Sequence, residues 1–171
     1  PPRSIVRRGL RLSRCDAVAI VDREPQRDEA EYRQAISVLL SATTSFVAID
    51  VDNELAFELS AGILAPRVLL VSRDAEHPRV IEPLAYGRCA MVTTDSDDGE
   101  QVELRRGAET VISFPLKALI ALAKAADPEV VVRDAMFALA LACAAGLAPD
   151  QLRAAATRRS GAALAHTNQE S

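Results

Sequence analysis

Acidic side chains at the ends of apolar runs are the residues of this chain best placed to do chemistry. Asp22 closes the run DAVAIVD, Asp52 follows SFVAIDV, and Asp134 immediately precedes an Ala-rich stretch that starts at Ala135. In open α/β sheets the crevice outside the carboxyl ends of the strands is where ligands bind, so Asp22 is the acid most favourably located. Each of the three also reads as a turn or helix cap, and for each that is the simpler account. The histidines offer less. His77 sits in a polar loop before Pro78 and His166 lies near the end of the chain, with no carboxylate pattern that would make a metal set or a triad. No serine or cysteine stands in a nucleophile context such as G-x-S-x-G. The acidic run at 95–100 reads as a solvated turn, because Asp97 and Asp98 lack a loop of calcium-binding length.

The elements that must position these acids follow from periodicity. Residues 16–22 and 45–51 read as buried strands, and 67–72 (RVLLVS) as a third. Between the first two, Tyr32, Ile36, Leu39 and Leu40 form an amphipathic stripe. Asp52-Asn53 then caps a short helix over 54–61, which Gly62 closes. This β-α-β-α-β order predicts a parallel sheet with helical crossovers. Downstream the pattern alternates, and 79–84, 88–94, 101–106 and 109–114 read as short antiparallel strands at the sheet's edge, with Asp97-Asp98-Gly99 as a turn. The segment 116–126 is a helix or a loop of helical propensity, which Asp127-Pro128 ends. A nearly all-apolar helix then spans 133–145, stopped by Gly146. Pro149-Asp150 starts a last helix containing Leu152. The expected fold is α/β, a mostly parallel sheet with helical crossovers and an antiparallel edge hairpin. Residues 1–160 make one domain, and 161–171 a mobile tail.

Composition narrows the function classes. The chain has 171 residues, 49% hydrophobic and 26% charged, enough for one globular domain with a substantial core. Aromatics make up only 4% and Trp is absent, so Ala, Val, Leu and Ile must build the core. A net charge of −4 argues against a nucleic-acid partner. The cluster Arg3, Arg7, Arg8, Arg11 and Arg14 departs from that balance and is most simply a solvated edge, although it has the chemistry to grip phosphate or an acidic polymer. Cys15, Cys89 and Cys143 are too widely spaced for a CxxC pattern or a disulfide framework, which suits a reducing, cytoplasmic setting. No apolar stretch reads as a membrane span and no signal peptide is visible. The chain begins at Pro1 rather than Met, so a piece of a longer protein is a standing alternative.

Four stretches in order, covering roughly residues 5–157, carry a resemblance: Arg8-Gly9-Leu10 through Cys15-Asp16-Ala17-Val18, AIDVDNELA at 48–56, VLLVSRDAEHPRV at 68–80, and VVVRDAMFALALACAAGLAPDQLRAA at 130–155. Together they resemble the latter half of the central ATP-binding domain of Mur ligases, closest to the cyanophycin synthetase type. Such enzymes activate a carboxylate as an acyl phosphate and let an amine displace phosphate. That chemistry calls for a phosphate cradle, Mg²⁺ and cationic stabilisation.

Carried over position by position, the resemblance implies a loss of that chemistry. None of the seven glycines begins G-x-x-x-x-G-K-[ST]. The family's Asn after the first strand falls on Asp22, and its metal-placing Asp-His pair on Gln26 and Arg27. Arginine cannot ligate Mg²⁺ and brings positive charge to the metal's place. Asp50 replaces an Asn, Asp52 matches an Asp, Asn53 replaces a second Asp and Glu54 replaces a Pro. The adenine-contacting Asn falls on Asp134, whose carboxylate lacks the N–H donor that would read the ring. Asp22, Arg27, Asp52 and Asp134 are therefore expected as ligand-binding remnants, with no catalytic residue and no metal ligand. The resemblance implies a degenerate ligase domain, non-catalytic alone, with no cofactor unless ATP and Mg²⁺ are bound with the missing half supplied. It would act as a homo-oligomer or beside a partner chain that supplies that half. The Ala-rich helix, with little polar surface, is either core or interface. The alternatives are a piece of an active ATP-dependent amide ligase and a small-molecule binding module.

Overall fold

The computed structural model describes residues 14–21, 29–61, 68–117, 127–148, 150–152 and 154. Asp22, Gln26, Arg27 and Gly62 lie outside the described residues, as do Arg3 to Arg11, 118–126 and the expected tail.

Six strands form one sheet in the order β1 (Cys15–Ile20), β2 (Thr43–Asp50), β3 (Val68–Ser72), β4 (Cys89–Ser96), β5 (Gly99–Arg106) and β6 (Glu109–Pro115). Strands β1 to β4 run parallel, with Val47 opposite Val68 and Leu70 opposite Ala90. Strands β4, β5 and β6 pair antiparallel. The α/β class with a mostly parallel sheet and an antiparallel edge is as expected. Helices α1 (Glu29–Ala42), α2 (Glu54–Ser60) and α3 (Pro78–Ala85) make the crossovers, and α4 (Pro128–Ala144) follows the hairpins.

Side chains alternate across the pleat, and this divides the core. Val47 and Ile49 of β2 pack with Ile36 and Leu40 of α1 and Ala56 of α2. Farther along that face, Leu70, Ala90 and Val92 pack with Val80 of α3. Successive parallel neighbours joined by crossovers of one hand must carry all their helices on one face. The opposite face presents Phe46, Ala48, Leu69, Val71 and Met91, and α4 covers it with Val132, Met136, Phe137 and Ala140. The Ala-rich helix is therefore core along this stripe. Each large apolar side chain buried there contributes about 1.5–3 kcal/mol.

Two expectations need correction. Residues 79–84 form most of α3, not a strand, and β4 is a fourth parallel strand rather than an antiparallel one on its β3 side. His77 caps α3 with Nδ1 accepting the Arg79 N–H at 3.1 Å, Pro78 occupies the first turn, and Val80 and Leu84 face the sheet four residues apart. Pro83 has no N–H for a central strand ladder, which disfavours the strand reading. Nor does Asp134 cap a helix. Asp127 does, its Oδ1 accepting the Glu129 N–H at 3.0 Å, so α4 begins at Pro128 and Asp134 lies exposed within it. Asp-Pro, read as a breaker, is here a cap followed by a first-turn proline.

The turns behave as expected. Asp97-Asp98 link β4 to β5 with Gly99 at φ 102°, a left-handed value that favours glycine. Gly146 stops α4 at φ 81°, its N–H bonding the Cys143 carbonyl at 3.0 Å.

Candidate functional site

Parallel order brings the carboxyl ends of β2 and β3 side by side, and the first turns of α4 lie across them. The cleft between them, about 350 Å³, is lined by Asp50, Asp52, Arg73, Asp127, Glu129 and Arg133 among others. Asp50 is the last residue of β2 and only 5% exposed. Its Oδ1 accepts the Asp52 N–H at 3.0 Å, and its Oδ2 lies 3.7 Å from Nη1 of Arg133. Charges so buried require a partner, and Arg133 reaches it from the second turn of α4. The Nε of Arg133 is buried and has no hydrogen-bond acceptor among the described residues. Arg73, just past β3, lies 3.5 Å from Glu129 and 3.9 Å from Glu100.

The loop after β2 is fixed from two sides. Asn53, not Asp52, caps α2: its Oδ1 accepts the Ala56 N–H at 3.0 Å, while its Nδ2 donates to the Tyr32 hydroxyl at 2.7 Å. Arg79 of α3 donates to the Val51 carbonyl and to Glu54, each at 2.9 Å, and its guanidinium lies 5.0 Å from the Phe57 ring centroid. Asp52 itself is exposed, with Oδ1 3.7 Å from His77 Nε2. Because His77 Nδ1 accepts a backbone N–H, Nε2 carries the proton of the neutral ring and faces Asp52.

Four carboxylates and two guanidiniums therefore surround the cleft. Such a balance opposes a polyphosphate, since like charges repel most where water is partly excluded. The hydroxyl lining it, that of Ser72, accepts the Asp74 N–H at 3.1 Å. Among the described residues no group of three or more His, Cys, Asp or Glu is arranged to hold a metal ion. No helix of the described residues is long and apolar enough to cross a membrane.

Of the acids singled out from sequence, Asp52 lines the cleft. Asp134 is absent from its described lining, although its neighbour Arg133 is there. Asp22 and Arg27 lie outside the described residues. Arg133, Arg73 and His77 carry more of the site than sequence reasoning assigned them. For Arg133 a signal was present: an arginine inside VVVRDAMFALALA, a helix stretch apolar but for Arg133 and Asp134, needs an anionic partner when it packs inward. No family model matches this chain, and no curated protein matches it.

Proposed function

We propose that this chain is a Mur-ligase-like domain of the cyanophycin synthetase type that keeps the strand-end cleft without the ATP chemistry. It acts as a structural or interaction module, self-associated or beside a partner chain. The observation that carries the reading is the Asp50–Arg133 contact at 3.7 Å. The buried carboxylate at the end of β2 already has a cation of the protein's own, so a Mg²⁺ ion there would meet the repulsion of a neighbouring guanidinium. Of the stations that carry the resemblance, Asp50 and Asp52 line this cleft, and Asp134 does not, although its neighbour Arg133 does. The sequence lacks the G-x-x-x-x-G-K-[ST] loop, so phosphoryl groups have no lysine-bearing cradle among these residues. Self-association is supported by Ile81 in the middle of α3 and Tyr86 just past its end, exposed by 47% and 80%.

Titration calorimetry of the purified chain with ATP and Mg²⁺ tests the reading. No saturable heat is expected at millimolar nucleotide, and tight, magnesium-dependent uptake overturns it. Light scattering tests the association, with a larger-than-monomer mass that Tyr86→Ser reduces. A second reading, a small-molecule binding module, is favoured by the unpartnered Nε of Arg133. A donor left without an acceptor costs about 1–3 kcal/mol, which an uncharged ligand's oxygen would relieve. Adenosine without Mg²⁺ raising the melting temperature supports this second reading, and an unchanged melting temperature removes it.

A further inference from the structure

The geometry points to a second binding site at the amino end of the sheet, for a small amphipathic monoanion: a carboxylate on an apolar tail. There the starts of β2, β3 and β4 and the C-terminal turn of α4 enclose a groove of about 900 Å³, within the size range of small-ligand sites. Phe46, Leu69 and Ile112 supply buried apolar wall. Val111 and Leu147 also line it, and they are two of the four large hydrophobic side chains the described surface exposes. Single exposed apolar residues need no explanation, but two on one concavity mark a surface suited to an apolar ligand.

The charge of the groove gives the other half of the ligand. Arg88 and Arg106 line it, and none of its described lining residues is an acid. The whole chain carries 24 acids against 20 Lys and Arg, so an acid-free lining with two guanidiniums inverts the protein's balance. Arg106 stands opposite Glu109 in the β5–β6 register and opposite Cys89 in the β4–β5 register, and these neighbours, Cys89 foremost, hold the guanidinium's pKa above the ordinary arginine value. The Cys89 contact ties Arg106 to a groove-lining residue, where its planar fork suits a carboxylate. The carbonyl end of α4 opposes an anion weakly, because the Gly146 and Leu147 N–H groups bond the Cys143 and Ala142 carbonyls at 3.0 and 3.1 Å. A carboxylate suits a lining with two arginines and no acid, and the tail displaces water from the apolar wall. The site lies at the opposite end of the strands from Asp50 and does not depend on the reading of that cleft.

Octanoate, octanol and octylamine, titrated separately into the full chain by calorimetry, test the proposal. Octanoate should bind saturably, at least tenfold more tightly than either analogue, and protect Cys89 from iodoacetamide in peptide mapping. Arg88→Gln with Arg106→Gln, checked for native fold by circular dichroism, should lose at least tenfold in octanoate affinity. Should that pair of substitutions prevent folding, Arg106→Gln alone, at an exposed residue, serves with an expected loss of at least threefold. The proposal is overturned by octanol binding as well as octanoate, by unchanged affinity in the folded variant, by no octanoate binding, or by no protection of Cys89.

Discussion

At the carboxyl ends of β2 and β3 the chain gathers four carboxylates and two guanidiniums around a cleft of about 350 Å³; at the amino ends of those strands lies a groove more than twice as large, with two arginines and no acid in its described lining. Much of this polarity follows from topology. In a parallel sheet the crossover helices begin at the carboxyl edge, and helix N-termini favour acidic and other acceptor side chains as caps and in first turns. Asn53 with Glu54 serves α2 in this way, and Asp127 with Glu129 serves α4. Acidity at that edge is thus structural before it is functional. Asp50 is different, because it is a strand residue that caps no helix and draws Arg133 inward. The amino edge receives the helix C-termini, which favour cations by the same physics, so Arg88 just past α3 meets a structural demand, whereas Arg106, a strand residue of β5, is the clearer ligand signal.

The comparison is broken most forcefully at the buried pair. Arg133→Met removes the guanidinium 3.7 Å from the buried Asp50 and should cost about 3 kcal/mol in urea unfolding. Adding Asp50→Leu should recover most of that loss, since an apolar pair of similar volume replaces both charges. A single-variant loss below about 0.5 kcal/mol would mean that the pair is solvated and that the two edges do not differ in this respect.

Next in size is the loop after β2. Asn53→Ala removes a cap and the bond to Tyr32 and should cost about 1–2 kcal/mol by thermal or chemical unfolding. Asp52→Ala, at an exposed carboxylate, should stay within about 0.5 kcal/mol, which separates cap from neighbour. At the amino edge, Arg106→Gln should likewise leave stability within about 0.5 kcal/mol, so that its effect appears in ligand affinity alone.

The smallest expected effect is a pH dependence. Burial pushes the Cys143 thiol above its ordinary value. The folded state then holds its proton more tightly than the unfolded chain, so this contribution to stability is complete below the unfolded thiol's pKa of about 8.5 and is lost as pH rises through the folded value. Melting temperatures should fall above that pH, and Cys143→Ala should flatten part of the fall. An unchanged slope in the variant would show that the thiol ionises as freely in the fold as outside it.

Much of this fold was readable from contiguous residues. The run FVAID marks β2 because a strand covered on both faces needs apolar side chains at successive positions, and 46–50 are all buried. The stripe through Ile36 and Leu40 marks α1, both residues being buried there. The segment at 79–84 misled because Arg-Val-Ile-Glu-Pro-Leu suits either period over so few residues. What settles it is that β4 lies parallel to β3, which requires a crossover between them. The start of α4 misled because Asp-Pro has the same local chemistry whether it ends one helix or opens another.

Alone, the sequence determined which segments would be buried, where the chain would turn at Asp97-Asp98 and Gly146, and that the phosphate loop motif is missing. Those properties reside in neighbouring residues and their spacing. Which polar side chains meet was decided only by the tertiary structure: Asp50 with Arg133, His77 with Asp52, and Arg106 with Cys89. Each of those meetings depends on strand order, register and the face a helix covers, and none of these is written in any short stretch of the chain.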